Sequence, residues 1–581
     1  MTDSQANSKG RESGTAVVVG IALATILAHL ATGWRYGFDR DELMALEDAR
    51  HLAWGYVQYP PLTAFLGRVA LILFGTSLVG FRFFAALAMA IAVVLTGLMA
   101  KEMGGGKWAQ VTAALAAVPF CLGAGALMQY MSFDYACWVL LAYCVAKVAS
   151  AKKERKESKS DEGEKKESSD CLAVHPAYGT TGSMEVRDAG KRWWVGVGAA
   201  MGLGMLAKYT MGFLVAGVVA GVLSTPQRRH WRSGWLWMGV LVSLLVVLPN
   251  FLWQWKHRFV SLEFLRFLHA RDVATGQTDW FLAGQLELTM LAFPLALAGL
   301  WFCFFSDAGR RYRILGWMYV LPLLLFLVMR GRDYYLAPAY PMLYAAGAVW
   351  VERSWRMRSV RERAAKSISR QDTAHRGGCP AASGEAEKPP LGRHDLVENG
   401  ENGKWKILQR MIWVALLLDV VVAAAVALPI APVNSRWWRL AARVDTVLPE
   451  EIGWPEFVEA VAQVRDRLPL EERARVGILA GNYGEVGALN LYGEKFALPR
   501  AIGGVNSSWE RGYGDAPEVL IVVGYPRTLL ETEFASCVVG GRVWNQYGVR
   551  NEETIEDPDI FVCRGLRGGW PEFWQKVRKF A

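Results

Sequence analysis

Charged side chains gather at the ends of the apolar segments of this 581-residue chain. Two adjacent carboxylates, Asp41 and Glu42, lie in the first polar segment, and a third, Asp134, precedes an aromatic-rich apolar run. Two cations, Lys208 and Arg332, lie at similar boundaries. A carboxylate can deprotonate a hydroxyl nucleophile, and cations can stabilise a departing phosphate. Together, these residue types indicate transfer chemistry with a phosphate leaving group.

Each of these residues has a simpler interpretation when it is taken alone. An exposed acidic pair such as Asp41-Glu42 is commonly only solvated, and Asp134 could cap a helix. Lys208 could be an interfacial lysine that extends towards water, and Arg332 could be an ordinary loop charge. The chemical interpretation is favoured because all five residues fall on one side of a predicted membrane.

The elements that must position these residues are membrane-spanning helices. Hydrophobic residues make up 53% of the chain and charged residues 20%, and a helix needs about 20 apolar residues to cross a bilayer. We therefore predict a polytopic α-helical membrane protein with a polar tail, 1–14, and a first helix that is not a cleaved signal peptide. The predicted spans are 15–33, 78–100, 108–127, 133–149, 193–207, 209–224, 235–253, 281–305, 314–330, 336–352 and 411–431.

The distribution of lysine and arginine predicts the orientation. The positive-inside rule assigns the basic connecting segments to the cytoplasm. The net charge of +10 therefore reflects topology, and no nucleic-acid partner is expected, because the basic residues form no patch interleaved with exposed aromatic residues. The cytoplasmic segments are 101–107, 150–192, 225–234, 306–313 and 353–410, and the two insertions 151–192 and 353–408 contain low-complexity stretches, 151–170 and 371–403, that we expect to be disordered.

The composition changes to that of a soluble domain from residue 432 onwards. Residues 432–581 contain 18 basic and 21 acidic side chains, so the basic excess belongs entirely to the membrane part, 15–431, and its connecting segments. Strand-like patterns predict a small α/β domain outside the cytoplasm. There, Cys537 and Cys563 could form a disulfide or remain two buried thiols. The predicted strands are 475–480, 519–523, 537–543 and 560–563.

Several motifs taken together resemble those of bacterial family 39 glycosyltransferases. The first outer segment opens with Asp41-Glu42 and closes with Pro60-Pro61-Leu62, and Tyr334-Tyr335 begins a Tyr-Tyr-Leu-Ala-Pro-Ala-Tyr-Pro sequence. That family belongs to the GT-C superfamily, with the protein O-mannosyltransferases and the lipid A aminoarabinose transferases. The chain departs from the pattern at Gln58-Tyr59, where relatives carry an acidic residue before the two prolines.

The resemblance implies a fold and a site. The fold would be a GT-C bundle of about 11 transmembrane helices with a small extracytoplasmic α/β domain. The catalytic residues would be Asp41, which acts as the base, with Glu42 and Asp134. The residues at the donor phosphate would be Lys208, Arg332, Tyr334 and Tyr335, and Pro60 and Pro61 would shape the loop.

The resemblance also implies the reaction and the partners. A sugar, a hexose or a pentose, would move by an inverting displacement from a polyprenyl-phosphate donor to a hydroxyl of a lipid, glycan or protein acceptor. No cofactor is expected, and dependence on a divalent metal stays open. The protein would be a multi-pass protein of the cell (inner) membrane. The alternatives are a transporter or flippase for a lipid-linked sugar, and a membrane anchor whose outer domain binds cell-wall material.

Overall fold

The structure, a computed structural model, describes residues 3–164, 181–376 and 394–581. Of the two stretches expected to be disordered, 151–170 and 371–403, residues 165–170 and 377–393 lie outside the described residues. The first part of the chain is entirely helical. Its helices are α1 (Asp3–Thr32), α2 (Arg40–Arg50), α3 (Leu62–Phe74), α4 (Leu78–Glu102), α5 (Lys107–Ala124), α6 (Tyr130–Glu164), α7 (Thr181–Ala207), α8 (Met211–Ser224), α9 (Gly234–Lys256), α10 (Val260–Ala274), α11 (Phe281–Thr289), α12 (Phe293–Phe305), α13 (Arg313–Val328), α14 (Tyr340–Arg376) and α15 (His394–Ala427).

Seven helical stretches among the described residues are long and apolar enough to cross a bilayer. The other four predicted spans fall on α5, α7, α8 and α14, which are shorter or less apolar in their described parts. Helix α5 is buried along most of its length by other helices, so its small residues contact protein and not lipid. The seven stretches are Ser13–Thr32, Leu78–Glu102, Tyr130–Ala151, Gly234–Lys256, Phe281–Phe305, Asp307–Val328 and Trp405–Ala427.

The outer segments contain helices that the sequence patterns did not indicate. Helices α2 and α3 lie within the segment 34–77, between the first two predicted spans, and α10 lies within 254–280, after the predicted span 235–253. Helix α2 is charged but largely buried, so its charges need partners within the protein. These helices pack at the end of the bundle and approach the C-terminal part of the chain.

The C-terminal domain, which begins after α15, is built on a five-stranded mixed sheet. The strand order is β2-β1-β3-β5-β4, with β2, β1 and β3 parallel and β5 and β4 antiparallel. The predicted small α/β domain is therefore confirmed, although the three-residue strand β2 was not foreseen. Its elements are α16 (Arg436–Val444), α17 (Trp454–Asp466), α18 (Leu470–Arg473), β1 (Val476–Ala480), α19 (Tyr483–Tyr492), β2 (Ala501–Gly503), α20 (Asn506–Glu510), β3 (Val519–Val523), α21 (Arg527–Glu533), β4 (Phe534–Arg542), α22 (Glu552–Ile555), β5 (Asp559–Leu566) and α23 (Trp570–Lys576).

One apolar core runs from the membrane helices into the C-terminal domain. Leu43 of α2 and Phe81 of α4 belong to the same buried cluster as Trp454 and Phe457 of α17. The other face of the sheet packs on α23, and there Cys537 of β4 is bonded to Cys563 of β5 in a disulfide. The continuous core places the C-terminal domain directly against α2.

Candidate active site

The acidic segment at the start of α2 is a helix cap. Asp39 is the N-cap residue, and its side chain accepts a hydrogen bond of 2.8 Å from the Asp41 backbone NH. The Glu42 side chain accepts a hydrogen bond of 3.0 Å from the Asp39 backbone NH. This reciprocal capping box fixes the first turn of α2, so the direction of the Asp41 side chain is set by the helix start.

The cavity beside Asp41 gathers most of the predicted site. It has a volume of about 770 Å³ and lies between the membrane helices, α10 and the C-terminal domain; we call it the central cavity. Six of the nine predicted site residues line it: Asp41, Pro60, Lys208, Arg332, Tyr334 and Tyr335. The other three, Glu42, Pro61 and Asp134, do not.

Lys208 lies in the short connection between α7 and α8 and is surrounded by aromatic rings. Its Nζ is 5.0 Å from the ring centroids of Tyr130 and Tyr334 and 4.3 Å from that of Tyr335. Among the residues with described side chains, no carboxylate oxygen lies within 4.0 Å of this Nζ. Ring faces attract a cation but do not neutralise it. The Lys208 ammonium therefore offers a positive charge to an anion in the central cavity.

Asp134 lies behind Lys208. Its carboxylate accepts hydrogen bonds from Trp138 Nε1 at 3.0 Å and from the Thr210 hydroxyl at 3.1 Å. The hydrogen bond to Thr210 ties the start of α6 to the connection that carries Lys208. This geometry gives Asp134 a part in holding the lysine in place.

Arg332 is held by a carboxylate that the sequence patterns did not single out. Its Nε and Nη2 each donate a 2.6 Å hydrogen bond to the buried Asp272 of α10. Its Nη1 lies 3.5 Å from the Tyr334 hydroxyl. Of the five N–H groups of a guanidinium, two are therefore left for other acceptors at the cavity wall.

Glu42 turns away from the central cavity. Its carboxylate forms a buried ion pair with Arg82 of α4, at 2.6 Å, and accepts a 2.8 Å hydrogen bond from the Met128 backbone NH. Arg82 also pairs with Glu451, at 3.0 Å. Glu42 thus joins α2, α4 and the segment before α17.

The two prolines differ in position. Pro60 lines the central cavity, whereas Pro61 is the N-cap residue of α3. Gln58 and Tyr59, where the chain departs from the family pattern, both contact Asp48. Gln58 Nε2 and the Tyr59 hydroxyl donate hydrogen bonds to its carboxylate at 2.8 Å and 2.6 Å. A buried carboxylate of α2 thus holds the loop before Pro60.

The electrostatic surroundings of Asp41 favour a carboxyl group that can take a proton. Burial raises the pKa of Asp41, while the Arg40 charge and a hydrogen bond from the Tyr483 hydroxyl offset part of that rise. Arg40 is itself paired with Glu552. A base works best when its pKa approaches the working pH, and burial raises the pKa of Asp41 towards that pH.

Four residues of the site were not among the sequence predictions: Arg40, Tyr130, Asp272 and Tyr483. Arg40 adjoins Asp41, and Tyr130 lies one helical turn before Asp134, so local spacing could have indicated both. Tyr483 lies in the glycine-punctuated segment after β1, but nothing in the sequence pairs it with Asp41. Among the described residues, no three Asp, Glu, His or Cys side chains converge to hold a metal ion.

A partial family match and a structural match relate this chain to known proteins. The family model described as dolichyl-phosphate-mannose-protein mannosyltransferase matches residues 58–157 and 182–253. The structure of ArnT from Cupriavidus metallidurans in the apo state is similar, with a TM-score of 0.51 and 16% identity over 94% of this chain and 97% of that chain. The chain has an ArnT-like GT-C fold.

Further comparisons describe this GT-C chain. ArnT from the same organism bound to undecaprenyl phosphate also matches, with a TM-score of 0.51 and 17% identity over 94% of this chain and 97% of that chain. The archaeal oligosaccharyltransferase AglB from Archaeoglobus fulgidus matches with a TM-score of 0.43 and 13% identity over 84% of this chain and 64% of that chain. A search of curated protein sequences finds no match. The predicted fold class, a GT-C membrane bundle with a small α/β domain, is confirmed.

Proposed function

We propose that this GT-C protein transfers a sugar from a polyprenyl-phosphate carrier to an acceptor hydroxyl outside the cytoplasm. The observation that carries the proposal is that Asp41 and Lys208 line the same cavity. One is a carboxylate whose pKa is raised by burial, and the other is a cation surrounded by aromatic rings. These are the two groups that such a transfer needs, a proton acceptor and a holder of the leaving phosphate.

The donor phosphate binds at Lys208. The ammonium has three N–H donors, and the rings of Tyr130, Tyr334 and Tyr335 keep it in place. Arg332, anchored by Asp272, offers its remaining N–H groups from the neighbouring wall. The polyprenyl chain extends from this phosphate into the lipid.

The reaction is a single displacement at the anomeric carbon. The Asp41 carboxylate removes the proton of the acceptor hydroxyl while the hydroxyl oxygen forms the new bond to the anomeric carbon of the sugar. The bond between the anomeric carbon and the phosphate oxygen breaks, and the electron pair leaves with the polyprenyl phosphate. The leaving group gains one negative charge in this step, which Lys208 and Arg332 stabilise. Asp41 ends protonated, and the configuration of the sugar is inverted.

The first prediction concerns Asp41. Asp41→Asn keeps the size and polarity of the side chain but removes the base, so transfer should fall at least a hundredfold. Purified protein in liposomes is given undecaprenyl phosphate carrying a radiolabelled sugar, one sugar at a time, with a cell-envelope extract as the source of acceptor. The measurement is the label that leaves the lipid fraction.

Asp515→Asn, the same change at an exposed loop carboxylate outside the central cavity, is the matched control and should transfer at the normal rate. Transfer by Asp41→Asn at the rate of the unmodified protein would exclude Asp41 as the base. Label that stays on the lipid but changes side of the liposome would instead identify a flippase.

The raised pKa of Asp41 also sets a pH dependence. The base acts only when it is ionised, so kcat/KM should fall as the pH drops through that pKa. Because burial raises this pKa above its ordinary value of 3.8, the acid limb should lie above pH 3.8. An acid limb at or below pH 3.8 would contradict this assignment.

A further inference from the structure

The C-terminal domain forms part of the wall of the central cavity. Asn482, Tyr483, Asn506 and Glu552 line it together with the membrane-side residues. Asn482 and Tyr483 follow the end of β1, and Asn506 follows the end of β2. These are carboxyl ends of parallel strands, the edge of an α/β sheet at which ligands bind. The domain therefore presents its ligand-binding edge to the cavity that holds Asp41.

The order of the strands reinforces this placement. From β1 the chain crosses through α19 to β2 on one side and then returns past β1 to β3 on the other side. Such a reversal opens a crevice at the carboxyl ends of the strands. The segment Gly481–Glu485 follows β1 at this crevice.

Helix α19 packs on α2 with almost no space between the two backbones. A Cβ at Gly487 would lie 2.6 Å from the Leu43 carbonyl oxygen, and a Cβ at Gly484 would lie 2.6 Å from Arg40 Cγ. Any larger residue at either position would push the helices apart. The contact fixes the start of α19 at the start of α2, where Asp41 lies.

The first turn of α19 is held as firmly as that of α2. The Asn482 side chain accepts a 2.8 Å hydrogen bond from the Glu485 backbone NH, and the Glu485 carboxylate accepts bonds from the Gly481 and Asn482 backbone NH groups at 2.7 Å and 3.0 Å. Tyr483, the first residue of α19, is therefore held between two capped helix starts.

Tyr483 contacts both neighbours in the acidic segment. Tyr483 and Asp41 line the same cavity, and the Tyr483 hydroxyl lowers the pKa of Asp41 as a hydrogen-bond donor. The Tyr483 ring centroid lies 5.6 Å from the Arg40 guanidinium carbon, and Arg40 is paired with Glu552 of α22. The C-terminal domain thus places a hydroxyl group beside the Asp41 carboxylate.

We propose that the C-terminal domain completes the active site, with Tyr483 as the positioning residue of Asp41 and the ends of β1 and β2 as the wall against which the acceptor binds. This inference rests on the proposed function, in which Asp41 is the base. It implies that the acceptor contacts both parts of the protein, whereas the lipid donor is bound by the membrane helices.

The test is Tyr483→Phe, which removes the hydroxyl but keeps the ring against Arg40. Loss of a hydrogen bond to a charged group should lower kcat about tenfold. The acid limb of kcat/KM should also move to higher pH, because the carboxylate loses a donor that stabilises its ionised form. KM for the lipid donor should not change, because Lys208 and Arg332 are untouched. The other charged groups that act on Asp41 or its cap are common to both proteins, namely Asp39, Arg40, Glu42, Arg332 and Glu451.

Tyr513→Phe is the matched control, because Tyr513 lies in the same domain, packs on Trp570 and Trp574, and does not line the central cavity. It should leave both rate and pH profile unchanged. A Tyr483→Phe profile that superimposes on that of the unmodified protein would overturn the inference, as would a fall in kcat with no shift of the acid limb.

The two proposals fail in different ways. If Asp41→Asn is inactive and Tyr483→Phe behaves as the unmodified protein, only the role of the C-terminal domain is rejected. If Asp41→Asn is active, the base itself is rejected.

Discussion

The surroundings of Lys208 indicate that its charge serves a function and not only the stability of the fold. A structural lysine in a protein interior is normally paired with a carboxylate, whereas the ammonium of Lys208 faces the rings of Tyr130, Tyr334 and Tyr335. Its charge is thus retained for a ligand. The same residue at the membrane boundary could not be distinguished from an interfacial lysine by sequence alone.

Replacing Lys208 should weaken binding of the carrier lipid. Lys208→Met keeps the length of the side chain and removes the charge, so the Kd for undecaprenyl phosphate should rise about ten- to a hundredfold, the range expected when a charge-assisted hydrogen bond is lost. Binding is measured by native mass spectrometry of the purified protein. Lys256→Met, at an exposed lysine at the end of α9, is the control. Equal affinity in the two variants would contradict a phosphate site at Lys208.

Glu553 links stability to pH. Burial, with the charges of Glu450 and Glu485, raises its pKa from 4.5 to about 8, and its Oε2 has no hydrogen-bond partner among the described residues. A carboxyl group whose pKa is raised on folding contributes stability below its unfolded pKa and loses that contribution as the pH rises through its folded pKa.

Glu553→Gln should therefore remove part of the pH dependence of stability. The difference in unfolding temperature between the variant and the unmodified protein should grow in favour of the variant from pH 4.5 to pH 8 and then stay constant. Thermal unfolding in one detergent across this range measures it. Glu556→Gln, at an exposed carboxylate of the same segment, should show no such trend, and a flat difference for Glu553→Gln would refute the assignment.

Among the elements, α2 is the one that the sequence described least well. Its acidic residues were recognised as candidates for chemistry, but the segment was predicted as a loop, because a helix whose buried face carries Glu42, Glu47 and Asp48 has no apolar period to detect. Those carboxylates are buried because cations from distant elements pair with them, such as Arg82 and Arg511. Such pairings depend on tertiary structure and leave no local pattern. The long apolar helices were predictable because the lipid and the protein around them both require apolar side chains. The strands β1 and β3 were predictable because the core covers both of their faces.

The ion pairs of Arg82 should stabilise the attachment of α2. Arg82→Met would leave the buried carboxylates of Glu42 and Glu451 without their shared cation, and removal of one partner from a buried pair costs about 3–5 kcal/mol. Unfolding in detergent, monitored by tryptophan fluorescence, should show the loss. Arg68→Met, at an exposed arginine of α3, should have little effect. A stability unchanged by Arg82→Met would mean that the triad is not needed for the packing of α2.

For the whole molecule, the orientation in the membrane stays a prediction, and two features bear on it: the distribution of positive charge and the disulfide. The C-terminal residues 432–581 are net acidic, with 18 basic and 21 acidic side chains, and the basic excess lies in the segments predicted to face the cytoplasm. The bond between Cys537 and Cys563 is of the kind that persists in oxidising compartments. The sequence could not decide whether these two cysteines form a disulfide or remain free thiols. Spacing alone cannot show that they lie opposite each other on β4 and β5.

The disulfide should contribute to the stability of the C-terminal domain. Replacing both Cys537 and Cys563 by serine should lower the free energy of unfolding by about 2–4 kcal/mol. The measurement is the unfolding of the protein purified without reductant, compared with that of the same protein after reduction. The double variant should not respond to reductant, and an unmodified protein that also fails to respond would show that the bond is not formed.

The glycine contact between α19 and α2 also limits how the protein can be recombined. Gly487 brings α19 against the backbone of α2, and Gly484 brings it against the Arg40 side chain. A C-terminal domain grafted from a relative will therefore fit only if its helix meets the new α2 equally closely. Chimeras that exchange α2 and the C-terminal domain together should therefore succeed where exchange of the domain alone fails. In such chimeras, α2 and α19 must be exchanged as a pair.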